Sequence, residues 1–253
     1  MKMHILNGGR LRMRRSVYVP GAERTESIDL PVHSVLMRHA QGNVLFDTGC
    51  HPSVVENAEA RWGSMARMMV PINGREDNVV SDLSRLGLAP DDIDVVVCSH
   101  FHADHCGCNE YFTRASMFCH RLELEAAQAD DAPAKGYLAT EWRHGREWVA
   151  IDGEHDLFGD GRVVLKPLPG HTPGMIGALV HLDRDGPFVL ASDAVPLALT
   201  LEREALPRNT GDLEAAARSL GEVGRLQAAG FTVLYGHDAE QWETLRKGVA
   251  FYE

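Results

Sequence analysis

No long, uninterrupted apolar run occurs in this chain. The opening residues Met1 to Arg15 mix Lys2, Arg10, Arg12, Arg14 and Arg15 with polar residues, so neither a signal peptide nor a membrane span is expected and a cytoplasmic protein follows. Positive charge is in deficit. With 25 Lys and Arg against 36 Asp and Glu, the formal charge is −11, which argues against nucleic acid or any partner held mainly through phosphates. Cysteine is sparse and odd in number. Cys50, Cys98, Cys106, Cys108 and Cys119 follow no regular framework and fit small, buried, reduced thiols; a thiolate metal site at Cys106 and Cys108 lacks partners at zinc-ribbon spacing. No low-complexity linker divides the 253 residues, and their 44% hydrophobic content can fill one core, so a single domain over 1–253 is expected.

What is present is histidine in a telling order. His100, Phe101, His102, Ala103, Asp104 and His105 follow the apolar residues Val95, Val96 and Val97. On an extended chain alternate residues point the same way, so His100 and His102 can share one cation, while Asp104 and His105, entering the next turn, can face a second. The helical zinc motif, with a glutamate between histidines one turn apart, is absent. A lone histidine is usually a hydrogen-bonded core residue; four ligand-type side chains within six positions point to a two-metal hydrolytic site. Three further candidates stand where an apolar segment gives way to a loop: His171 after Val163 to Leu168, Asp193 after Phe188 to Ala191, and His237 after Phe231 to Tyr235. Loops at strand ends can converge on one edge of a sheet.

Hydrophobic periodicity supplies the frame. Strands are expected at Met3 to Leu6 and Leu11 to Val19, joined by a turn at Asn7-Gly8-Gly9, and at Leu30 to Arg38 and Asn43 to Asp47, joined through His39 to Gly42. Pro52 to Pro71 reads as a helical or irregular insertion in which Met65, Met68 and Met69 can lie along a ligand's alkyl portion or pack as core. Asn78 to Leu86 is an amphipathic helix closed by Gly87, and Ala115 to Cys119 and Leu122 to Gln128 read as strand and helix. The polar stretch Ala129 to Lys135 is placed on the surface, and Trp142, His144 and Trp148 in peripheral packing. Strands return from Asp152 to His181, turning at Gly159 to Gly161, and Leu213 to Ala229 is the strongest helix, closed by Gly230.

The ordered set of His100, His102, Asp104, His105, His171, Asp193 and His237 resembles the metallo-β-lactamase superfamily. The resemblance implies an α/β fold, the αββα sandwich, in which His100, His102 and His171 hold the first metal, Asp104, His105 and His237 the second, and Asp193 bridges both. Val44 to Gly49 is similar to the superfamily's early turn, whose aspartate, here Asp47, supports the site. Within that group, Leu45 to Gly49 and Ser99 to Gly107, continuing Asn109 to Phe112, resemble N-acyl-homoserine lactonases and the related pyridoxolactonases. Two positions depart from the pattern. Pro196 stands where the lactonases usually carry a tyrosine, three residues after the bridging aspartate, and Met175 where a histidine is frequent.

The resemblance further implies two divalent cations, zinc by default, and attack on a substrate carbonyl by a hydroxide between them, with Asp104 also orienting the nucleophile. Tyr235, close in sequence to His237, is the candidate for the hydroxyl that Pro196 lacks. The expected activity is opening of a lactone ring, foremost an N-acyl-homoserine lactone. A thioesterase of the glyoxalase II type, or a hydrolase of another small lactone or ester, shares the same site, and a homodimer is an expected assembly.

Overall fold

The computed structural model describes residues 1–253. β1 (Lys2–Arg14), β2 (Ser27–His39), β3 (Gly42–Phe46), β4 (Val70–Pro71), β5 (Val95–Val97), β6 (Ser116–His120) and β7 (Trp148–Ile151) form a sheet ordered β4-β1-β2-β3-β5-β6-β7. β8 (His155–Asp156), β9 (Val163–Pro167), β10 (Ile176–His181), β11 (Pro187–Ser192) and β12 (Thr232–Tyr235) form a second, ordered β12-β11-β10-β9-β8. Between the strands run α1 (Arg15–Tyr18), α2 (Val54–Trp62), α3 (Val79–Arg85), α4 (Ala103–Cys106), α5 (Arg121–Gln128), α6 (Ala139–Trp142), α7 (Ala198–Arg203), α8 (Leu213–Ala228) and α9 (Ala239–Thr244).

Strand alternation sorts the side chains into layers. Val35, Met37, Val44, Phe46 and Val97 face across to Ile176, Ala178, Phe188, Leu190 and Leu234, and this is the core between the sheets. Their neighbours Leu36, Leu45 and Val96 point the other way, onto Val79 and Leu83 of α3. On the second sheet Val189, Ala191 and Val233 turn outward onto Leu220 and Val223 of α8. The result is the αββα sandwich. Each buried Leu, Ile, Val or Phe contributes roughly 1.5–3 kcal/mol, and both faces of each sheet are covered. α3 and α8 begin where the periodicity places them, capped by Asn78, which accepts from Ser81 N (2.9 Å), and by Asp212, which accepts from Glu214 N and Ala215 N (3.0 Å each).

Four expectations are corrected. Asn7-Gly8-Gly9 is a bulge inside a continuous β1, where the register with β2 slips between Asn7 and Gly9. The bulge packs backbone to backbone on Gly49: a Cβ on Gly49 would lie 2.5 Å from Gly8 Cα and one on Gly8 3.1 Å from Gly49 Cα, and Cys50 N donates to Gly8 O at 2.7 Å. The second strand stops at Arg14, and Arg15–Tyr18 coils into a helical turn that buries Tyr18 among Leu11, Val54, Trp62 and Met69. The stretch Ala129 to Lys135 is not wholly superficial, since Ala132 is buried and the Lys135 carbonyl reaches the ring of His102 (3.1 Å). Trp142 is likewise buried, stacked on Phe101 with ring centroids 5.3 Å apart.

Candidate metal centre

The site forms where parallel strands end together. β3 and β5 pair in register, Phe46 with Val97, so Asp47 emerges beside Ser99. Asp47 adopts φ +58, which places its carboxylate to accept from Ser99 N (2.7 Å), Ser99 Oγ (2.8 Å) and His105 Nδ1 (2.9 Å). After a bend at Ser99 the chain runs without helical structure to His102, which is extended (φ −72, ψ 152). Phe101 points back into the core against Trp142 and Trp148, while His100 Nε2 and His102 Nδ1 meet at 3.1 Å. α4 then begins, and its turn carries Asp104 and His105 past the pair.

The three distant candidates arrive at the same point from the second sheet. His171 Nε2 lies 2.9 Å from His102 Nδ1 and 3.3 Å from Asp193 Oδ2. His237 Nε2 lies 2.8 Å from Asp193 Oδ1 and 3.7 Å from Asp104 Oδ2, and His105 Nε2 lies 3.4 and 3.7 Å from those two oxygens. All seven residues thus gather, six of them buried and His102 half-buried. Three overlapping groups have ligand atoms within 4.8 Å of one another and could each hold an ion: His100, His102 and His171; His100, His105 and Asp193; Asp104, His105 and His237.

The outer ring nitrogens are anchored. His102 Nε2 meets Lys135 O (3.1 Å), His237 Nδ1 meets Pro31 O (2.9 Å), and His105 Nδ1 meets the Asp47 carboxylate. A nitrogen facing an oxygen acceptor carries the proton, so in the neutral ring the inner nitrogen is the one with a lone pair to offer a metal. The inner atoms fit cations for a second reason. His105 Nε2, His237 Nε2 and Asp193 Oδ1 are buried without a hydrogen-bond partner although they crowd together. Unsatisfied buried polar atoms are costly, and three aimed at one another are explained by a positive ion among them. Burial, reinforced by the neighbouring imidazoles of His105, His102 and His171, holds His100 well below its ordinary pKa; burial likewise brings His171 to about 4. Burial would raise Asp193, yet His237, His171 and His105 outweigh it and hold the carboxyl well below the usual range.

Above the cluster opens a cavity of about 730 Å³ whose wall includes Tyr18, Met65, Met68, Met69, Asp104 and Asp193. The methionines thus stand beside the cluster. The rim carries Arg14, Arg24, Arg67 and Lys135.

Tyr235 is corrected. Alternation along β12 sends Leu234 into the inter-sheet core and Tyr235 outward onto the α8 layer, where its hydroxyl accepts from Gln227 Nε2 at 3.4 Å. Sequence reasoning missed two other residues. Tyr18 is buried at the cluster's edge, its ring centroid 6.2 Å from that of His237. Glu123, fully buried on α5, accepts from Phe101 N (3.0 Å) and Gly174 N (3.1 Å), tying the His100 loop to the His171 loop. A buried glutamate in a helix of alternating polarity gives no local signal; the nearest clue was Gly174, whose added Cβ would sit 2.1 Å from Glu123 N.

Two face-to-face sheets with a His and Asp cluster on one edge define a metal-dependent hydrolase. The family described as the Metallo-beta-lactamase superfamily matches residues 28–246, and the chain belongs to it. Among its relatives, N-acyl homoserine lactonase AiiB of Agrobacterium fabrum is 32% identical across 100% of this chain and 99% of its own. An N-acyl homoserine lactonase of a Bacillus species is 31% identical across 95% of this chain and 94% of its own. A solved N-acyl homoserine lactone hydrolase, with the product N-hexanoyl-L-homoserine at its catalytic metal center, superposes with a TM-score of 0.89 at 27% identity, covering 99% of this chain and 98% of that one.

Proposed function

We propose that the protein opens the ring of N-acyl-homoserine lactones, using two divalent cations, zinc by default. His100, His102 and His171 would hold one, Asp104, His105 and His237 the other, and Asp193 both. The observation that carries this reading is the union of the seven-residue cluster with a methionine-walled cavity, which suits a polar ring on an apolar tail. The relatives' activity on this substrate class supports it. When bound, the pair of cations supplies Lewis acidity and brings the pKa of water toward ~7.

The chain's own residues do the rest. Asp47 fixes the ring of His105, and Ser99 links Asp47 to His100 Nδ1 at 3.0 Å, so the imidazoles are oriented before substrate arrives. Asp104 and Asp193, on the cavity floor, offset cationic charge and leave the site attractive to the oxyanion that forms as the carbonyl is attacked. Met65, Met68 and Met69 exclude water beside the acyl chain. The whole chain is proposed as one catalytic domain, supported by the core both sheets share, and a cytoplasmic location is proposed with it, which five free, buried cysteines support. No helix is long and apolar enough to cross a membrane.

The test is a direct comparison on purified, metal-loaded protein: acid release from N-hexanoyl- and N-decanoyl-homoserine lactone against thiol release from an acyl-glutathione thioester. Faster ring opening supports the lactonase. Thioester turnover with no ring opening would replace it by the glyoxalase II type of activity.

A further inference from the structure

The cavity wall contains one buried side chain with an acidic hydrogen outside the cluster. Arg14, Arg24, Thr25, Ser27, Arg67, Lys135 and Asn209 on the wall are all exposed, whereas Tyr18 keeps only 4% of its surface open. Its ring is fixed by Leu11, Val19, Leu30, Val54 and Trp62 and stands edge-on to His237 at an interplanar angle of 75°. Its hydroxyl donates to the thioether of Met13 at 3.5 Å, while the side chain of Asn209 donates to it. Sulfur is a weak acceptor, so a buried phenol held against it is underused. Neither residue considered for this role serves: Pro196, three residues past Asp193, has neither a hydroxyl nor an N–H, and Tyr235 faces the outer helix.

We propose that Tyr18 is the hydrogen-bond donor to the departing ring oxygen of the lactone, on the side of the site formed by Asp104, His105 and His237. The assignment rests on the lactonase reading. A phenol's ordinary pKa of about 10 keeps it protonated at neutral pH, so it can donate to an oxygen bearing negative charge. The acyl carbon–oxygen bond breaks with its electron pair going to the ring oxygen. The water consumed supplies hydroxide to the acyl carbon and a proton to the released alcohol, and Tyr18 keeps its own proton throughout. A donor placed where negative charge develops is worth about 10²-fold in rate.

The test is Tyr18→Phe, which keeps the ring in its packed slot and removes only the hydroxyl. On N-hexanoyl-homoserine lactone, kcat is expected to fall about 10²-fold with KM within about threefold. On the matching thiolactone, whose thiolate leaves with an intrinsic pKa of ~8.5, kcat should change less than about threefold. Metal content and melting temperature should equal the parent's. A readout independent of turnover is calorimetric binding of N-hexanoyl-homoserine against its analogue lacking the side-chain hydroxyl: the parent should prefer the hydroxyl compound and Y18F should lose that preference. Equal losses on both ring types, or unchanged kcat and unchanged preference, would overturn the assignment. A parent enzyme that opens neither ring defeats instead the lactonase reading beneath it.

Discussion

Asp47 shows how one side chain governs a site it does not enter. Its carboxylate takes three hydrogen bonds, from Ser99 N, Ser99 Oγ and His105 Nδ1, at 2.7 to 2.9 Å. Asp47→Asn retains the size and tolerates φ +58, but it brings an N–H2 group toward donors and removes the charge behind His105. Metal affinity is expected to fall about 10–100-fold, read by chelator competition, while the fold persists. Undiminished affinity would mean that His105 needs no support. Tyr235→Phe is the contrasting case. Its hydroxyl meets only exposed Gln227 on the outer face, so kcat/KM should stay within about twofold of the parent. A loss comparable to that of Tyr18→Phe would restore Tyr235 to the site.

Among the elements, α5 ties the His100 loop to the His171 loop, because Glu123 accepts backbone N–H groups from both. Burial pushes Glu123 up to about 7 against the hydrogen bonds that favour its charged form, and Glu141, buried beside Arg61 and Trp62, is also raised to about 7. The sign follows directly. Between the ordinary glutamate value near 4.5 and about 7 the folded protein holds protons that the unfolded chain has lost, so these carboxyls contribute stability that is full below about 4.5 and lost as pH rises through about 7. Glu123→Gln should therefore flatten, without abolishing, the decline in melting temperature from pH 5 to pH 8, since Glu141 remains. An unchanged slope would show that Glu123 is already ionised at pH 5.

The elements also show what a sequence can and cannot disclose. The β2–β3 hairpin, α3, α8 and the His100-to-His105 segment were legible because each rests on local rules: alternation, helical spacing and caps. The orientations of two cluster rings follow from nothing local, since His237 is turned by the Pro31 carbonyl and His102 by the Lys135 carbonyl, contacts 206 and 33 residues distant. Tyr18 escaped because Leu11 to Val19 reads as one strand; the helical turn at Arg15–Tyr18 is set by packing against Val54, Trp62 and Met69. Tyr235 misled for the same reason in reverse. Nearness in sequence to His237 placed it at the site, while period-two alternation turned its side chain to the far side of the sheet.

At the scale of the molecule, the cluster is drawn from loops and turns that follow the strands of both sheets. His100, His102, Asp104 and His105 come from the first half, His171, Asp193 and His237 from the second, and the inter-sheet core lies behind them. Cations bound there would join the halves; without them Asp104 and Asp193 are buried, and His105 Nε2 and His237 Nε2 lack hydrogen-bond partners. An ion present at a thousandfold excess over its dissociation constant stabilises the folded state by ~4 kcal/mol, and a domain of this size shifts its melting temperature by ~2–4 °C per kcal/mol. Stripping both ions with a chelator should thus lower the melting temperature by at least about 8 °C, and stoichiometric zinc should restore it. His102→Ala should shrink that response along with metal content, because it removes a ligand atom from the first group. If the chelated and loaded proteins melt together, the seven side chains are held by the sandwich alone and bind no cation tightly enough to support hydrolysis.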